Sequence, residues 1–75
     1  MKEVYYLIVG YYETTDQNHC FDDLKNCYEW IKKDMKSRGY NLYHTYEEVD
    51  LYMKSHDSYR CGDGDYIIVR CLLED

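Results

Sequence analysis

The sequence predicts an α+β domain, and three observations carry that prediction. Segments rich in β-branched and aromatic residues lie near both ends of the chain, an amphipathic helical period lies between them, and clusters of polar and glycine residues separate the elements. With 75 residues and no repeat, low-complexity tract or proline-rich linker, residues 1–75 read as a single domain.

The first strand is expected over 3–12, where valine, isoleucine and tyrosine dominate before the Glu13-Thr14-Thr15-Asp16 break. A long helix is expected over 21–38, because Leu24, Cys27, Tyr28, Ile31 and Met35 recur at helical spacing. Asp22 and Asp23 stand at its start, Lys32, Lys33, Lys36 and Arg38 near its end, and Gly39 follows as a stop. A short helix over 46–55 follows Thr45, since Thr45-Tyr46-Glu47-Glu48 fits a capping box, with Tyr46, Val49, Tyr52, Met53 and His56 as its inner face. The last strand is expected over 65–73, entered through the turn-forming Cys61-Gly62-Asp63-Gly64-Asp65. Residues 40–44 read as a short strand or a connection, and 58–61 can pair with the last strand, so the sheet has two to four strands.

Both long strands are apolar on both faces. Alternation sends Val4, Tyr6 and Ile8 one way and Tyr5, Leu7 and Val9 the other, and Ile67, Val69, Cys71 and Leu73 oppose Tyr66, Ile68 and Leu72 in the same manner. A sheet of this kind has to be covered twice. Either one helix covers each face, or both helices share one face and the other meets a partner or a second copy, giving a homodimer through a sheet face. A chain this short buries only about 60% of its unfolded surface, which makes such reinforcement valuable.

The N-terminus gives no secretory leader pattern, since Lys2 is followed by Glu3 and the apolar run holds four tyrosines without a small-residue cleavage site. No run approaches a membrane span, so a cytoplasmic location with no membrane partner is expected, and Cys20, Cys27, Cys61 and Cys71 read as reduced thiols. These cysteines lack the paired spacing of a zinc site. His19-Cys20 with Cys61 would make only a partial ligand set, and Asp63-Gly64-Asp65 lacks the remaining ligands of a calcium loop. Neither a metal nor a cofactor is expected. No nucleophile, general base or phosphate-binding glycine loop has a diagnostic spacing, so the chain does not read as an enzyme.

The formal charge is -6, and there are eleven tyrosines and no proline. Tyrosines can stack on bases, but the overall negative field opposes phosphate, so no direct nucleic-acid binding is expected. The acidity is concentrated over 40–65, where Lys54 and Arg60 stand against Glu47, Glu48, Asp50, Asp57, Asp63 and Asp65. If these six carboxylates share a surface, they would engage the basic groove of a protein partner as nucleic-acid phosphates do. The plainer explanation for two of them is that Glu47 and Glu48 occupy the first turn of a helix, where negative charge is favoured. Trp30 lies about 120° from the buried stripe of the long helix, either tucked under a loop or exposed as an anchor, and completes the candidate partner-binding set.

In its length, acidity, aromatic content and reduced cysteines the chain resembles the small inhibitors carried by bacteriophages and mobile elements, anti-CRISPR proteins among them. The resemblance is one of general character; it covers no motif and transfers no functional residue. It implies a stoichiometric inhibitor that acts as a nucleic-acid mimic, with no turnover. The alternative is a homo-oligomeric structural or regulatory domain whose acidity is incidental.

Overall fold

The computed structural model describes residues 2–10, 18–62 and 65–73. In chain order the elements are β1 (Lys2–Val9), β2 (His19–Phe21), α1 (Leu24–Ser37), α2 (Tyr46–His56), β3 (Ser58–Cys61) and β4 (Tyr66–Leu73). The strands form one antiparallel sheet in the order β2-β1-β4-β3. The α+β class and the two terminal strands are as the sequence predicts. The helix expected over 21–38 is shorter, with 14 residues, because Asp23 holds extended backbone as the N-cap and its carboxylate accepts from the Asn26 N–H at 2.7 Å. That leaves Phe21 free to pair as a strand residue opposite Tyr5. Tyr11 and Tyr12, expected in the first strand, lie outside the described residues.

β1 and β4 pair along their whole length, from Lys2 opposite Leu73 to Val9 opposite Tyr66. Just beyond, the Gly10 N–H donates to the Asp65 carbonyl at 2.7 Å, which fixes the parity of the ladder. The peptide groups of Val4, Tyr6 and Ile8 therefore face β4, and those of Tyr5 and Leu7 face β2. On the other side of β4, the Arg70 N–H donates to the Asp57 carbonyl at 2.9 Å, so the peptide groups of Ser58 and Arg60 point outward from the edge. Both edge strands are short, and one carries Arg60, which blunts them against further strand pairing.

Both helices lie on the same face of the sheet. Leu24, Cys27, Tyr28, Ile31 and Met35 of α1 and Val49 and Met53 of α2 join one buried cluster with Leu7, Val9, Tyr59, Tyr66 and Ile68. Of the two arrangements left open by the sequence, the one with an uncovered sheet face is thus the one adopted among the described residues. On that outer face lie Tyr6, Ile8, Ile67, Val69, Cys71 and Leu73. Val4 belongs to the same face by alternation and, although only 5% exposed, stands outside the core cluster. The inner face of α2 is narrower than its sequence pattern implies. Tyr52 and His56 are exposed and stack on each other with ring centroids 3.9 Å apart, which leaves Val49 and Met53 to the core.

Helix ends are closed by local chemistry. α1 ends in a Schellman turn: Gly39 takes φ 84, its N–H donates to the Lys36 carbonyl at 3.1 Å, and the Tyr40 N–H reaches the Met35 carbonyl at 2.8 Å. Residues 40–44 are a connection, not a strand. α2 starts at the expected capping box, in which Thr45 Oγ1 accepts from the Glu48 N–H at 3.2 Å and Glu48 Oε1 accepts from the Thr45 N–H at 3.0 Å. It ends at Asp57, whose left-handed φ of 59 turns the chain directly into β3.

Candidate acidic interface on the helical layer

The connection between the helices is held from both sides by tyrosines. The Tyr28 hydroxyl donates to the His44 carbonyl at 2.8 Å, and the Tyr59 hydroxyl lies 2.6 Å from His44 Nδ1. Burial pushes the Tyr59 pKa up, so the phenol keeps its proton in this contact. These two bonds set where α2 begins relative to α1. They bring Tyr46, in the first turn of α2, edge-on to Tyr28 with ring centroids 5.8 Å apart.

Carboxylates gather around this tyrosine pair. Burial first, and then the charges of Glu29, Glu47 and Glu48, raise the pKa of Tyr28. Burial, then Asp50 and Asp23, with Glu47 a smaller contributor, raise that of Tyr46, against the opposing charge of Lys54. Carboxylates of both helical segments thus act on the pair, Glu29 and Glu48 on Tyr28, Asp23 and Asp50 on Tyr46, and Glu47 on both. Two cations moderate it: Lys54 pairs with Asp50 at 3.2 Å, and Lys25 Nζ sits 5.7 Å from the centre of the Tyr46 ring. The Glu48 carboxyl is held below the usual range by its backbone and side-chain hydrogen bonds with Thr45. Helix N-termini favour negative charge, which explains locally the Asp23 cap of α1 and the place of Glu47 and Glu48 in the first turn of α2.

Of the six acidic residues picked out by the sequence, Glu47 acts on both tyrosines, Glu48 on Tyr28 and Asp50 on Tyr46. Asp57 lies at the other end of α2, about 15 Å along the helix from Glu47, and pairs with Arg70, whose guanidinium also reaches Glu3 at 3.5 Å. Asp65 lies near the opposite end of β4 and pairs with Arg38 at 3.6 Å. Arg38 also donates to the Tyr66 hydroxyl at 3.2 Å, and that hydroxyl donates to Asp34 at 2.7 Å. Asp63 lies outside the described residues. The candidate carboxylates therefore do not form one continuous array.

Trp30 is half-buried against the margin of the core, with its ring centroid 4.6 Å from that of His19. It is neither covered completely nor presented as a free anchor, because β2 places His19 against it. Asp23 and Glu29 are the members of the acidic surface that sequence reasoning missed. The segment 21–39 is slightly basic in total, and that sum conceals an uneven order, in which Asp22, Asp23 and Glu29 precede Lys32, Lys33, Lys36 and Arg38, with Asp34 among the latter.

The thiols divide by position. Cys27 is in the core and burial pushes it up to about 12, Cys61 is raised to about 11 chiefly by burial, and Cys20 is exposed at the edge. His19, Cys20 and Cys61 do not come together as ligands, and among the described residues no three His, Cys, Asp or Glu side chains converge in a metal-holding group. At the far end of the helical layer, Met35, Gly39, Tyr40, Asn41, Tyr43 and Gly62 line an open hollow of about 340 Å³. Among the described residues no helix is long and apolar enough to cross a membrane. Compared with protein families, curated proteins and solved structures, the chain matches none.

Proposed function

We propose that the protein is a non-catalytic interaction module that engages a basic, nucleic-acid-binding protein in the cytoplasm and blocks it stoichiometrically, without itself binding nucleic acid. The observation that carries this reading is the Tyr28–Tyr46 pair, with ring centroids 5.8 Å apart, on which the charge of Glu47 acts at both rings, those of Glu29 and Glu48 at Tyr28, and those of Asp50 and Asp23 at Tyr46. Carboxylates flanking a tyrosine pair offer lysine and arginine side chains both a counter-ion and an aromatic surface. Asp57 and Asp65, already paired with arginines, contribute to the field more than to direct contact. The four unpaired cysteines support a reducing compartment.

Charge reversal tests this reading. In a pull-down from bacterial lysate eluted with rising salt, the wild-type protein should release a nucleic-acid-processing protein at moderate ionic strength. The combination Glu29→Lys, Glu47→Lys and Asp50→Lys should abolish its capture. Glu48 is left intact because its carboxylate caps α2. The screening length is about 10 Å at 0.1 M salt, so capture through this surface weakens steeply above that concentration. Retention that is indifferent to both salt and charge reversal would overturn the reading.

A further inference from the structure

The geometry points to the outer face of the sheet as a self-association surface, covered by the same face of a second copy of this chain. Its centre is apolar: Tyr6, Ile8, Ile67 and Val69 lie on adjoining positions of the paired β1 and β4 strands. Among the described residues no helix or strand packs on it, while Tyr6 remains 39% exposed and Leu73 51% exposed.

Charge argues for a second copy. The outward strand positions carry Lys2 and Arg60 and no carboxylate, and Lys2 is paired with Asp22 at one corner, 3.1 Å away. The chain as a whole carries -6, and its helical layer holds the acidic cluster. Two such molecules repel through most orientations. Among the described residues, outer face against outer face is an approach that buries apolar surface with no carboxylate but Asp22, paired to Lys2, at its margin.

Area and geometry agree with this arrangement. At ordinary strand spacing and rise the four strands, of 8, 3, 4 and 8 residues, span roughly 360 Å² per copy, or about 700 Å² in a pair, the size of a weak, concentration-dependent interface. Face-to-face sheets pack about 10 Å apart with their strands nearly aligned, and a two-fold axis makes one patch serve both copies. Both edge strands are short, so pairing through the edges is the weaker route to a dimer.

Sedimentation equilibrium of the intact chain decides the matter. A concentration-dependent rise from 9.2 kDa to twice that mass is expected. A single 9.2 kDa species up to about 100 μM would overturn the inference. Tyr6→Arg and Val69→Glu, each checked for a native circular dichroism spectrum, should weaken dimerisation at least about 100-fold, because each sets an unpaired charge in the interface. Leu51→Glu, at an exposed position on α2, should leave the dimer intact. Loss of the dimer in Leu51→Glu, with retention in both sheet variants, would also overturn it. The inference is independent of the proposed partner: reversal of Glu29, Glu47 and Asp50 should spare the dimer, and the sheet variants should spare salt-sensitive capture.

Discussion

The two faces of the sheet are made from alternate residues of the same strands, and they differ less in apolarity than in what surrounds them. Beneath the helices, Leu7 is opposite Ile68 and Val9 opposite Tyr66, and all four are almost fully buried. One residue along, Tyr6 is opposite Val69 and Ile8 opposite Ile67, and these remain partly open. The covered side carries Glu29, Glu47, Glu48 and Asp50 on its helices, and the open side has Lys2 and Arg60 and no carboxylate in its strand positions. Hydrophobic pattern alone thus does not tell which face closes within the chain. Which face the helices choose also decides where the charge goes, and so which surface suits a basic partner and which suits a second copy.

The sharpest way to break this comparison uses neighbouring residues. Ile68→Glu places a carboxylate in the core against Leu7, and the cost of about 4 kcal/mol or more should unfold a domain of this size. Val69→Glu, one position on, should keep the monomer folded with a stability change below about 1 kcal/mol and act instead on association. Circular dichroism and thermal melts of the two variants check this. Equal destabilisation would mean that both faces are closed within one chain.

A smaller effect follows from the buried acids on the covered side. Burial raises Cys27 to about 12 and Cys61 to about 11, and raises Tyr59 as well, so the folded protein keeps protons that the unfolded chain gives up. Their contribution is complete below about pH 8.5, where unfolded thiols begin to ionise, and it declines as pH rises towards the folded values. Urea midpoints measured from pH 7 to 11 should fall accordingly. Each thiol contributes a slope of up to about 1.4 kcal/mol per pH unit. Cys27→Ala should lower the midpoint at every pH but flatten the alkaline decline. An unchanged slope would mean that Cys27 ionises freely in the folded state.

Much of the fold was legible because local signals agree with the tertiary arrangement. The Thr45–Glu48 capping box, the Gly39 stop and the apolar stripe of α1 need no distant partner to be recognised. β2 was not legible, because His19, Cys20 and Phe21 are too few for a periodic signal and pair only because β1 offers a free side. Tyr52 was misplaced on the inner face for a related reason: helical spacing cannot tell a tyrosine facing the core from one stacked on His56 at the surface. The candidate site was half legible. Glu47, Glu48 and Asp50 are close in sequence, whereas Asp23 and Glu29 join them only through the bond from Tyr28 to His44. Asp57 and Asp65 are separated from that group because each had a structural arginine to meet.

The smallest effect isolates the device that aims the acidic surface. Thr45→Ala removes the hydroxyl that accepts from the Glu48 N–H, at an exposed helix end where water can replace it, and should cost about 1 kcal/mol at neutral pH. The Glu48 half of the box depends on an ionised carboxylate, and its bonds to Thr45 hold that carboxyl below the usual range. A lowered folded pKa contributes stability above the unfolded value, near 4.3, and loses it as pH falls through the folded value. The difference between wild type and Thr45→Ala should therefore be largest at pH 7 and shrink at pH 3, with dimerisation unchanged, because the capping box stands on the opposite side of the sheet from Tyr6 and Val69. A constant difference across that range would mean that the Glu48 carboxylate draws its hold from the residue-45 backbone N–H, which Thr45→Ala retains, and nothing from the hydroxyl.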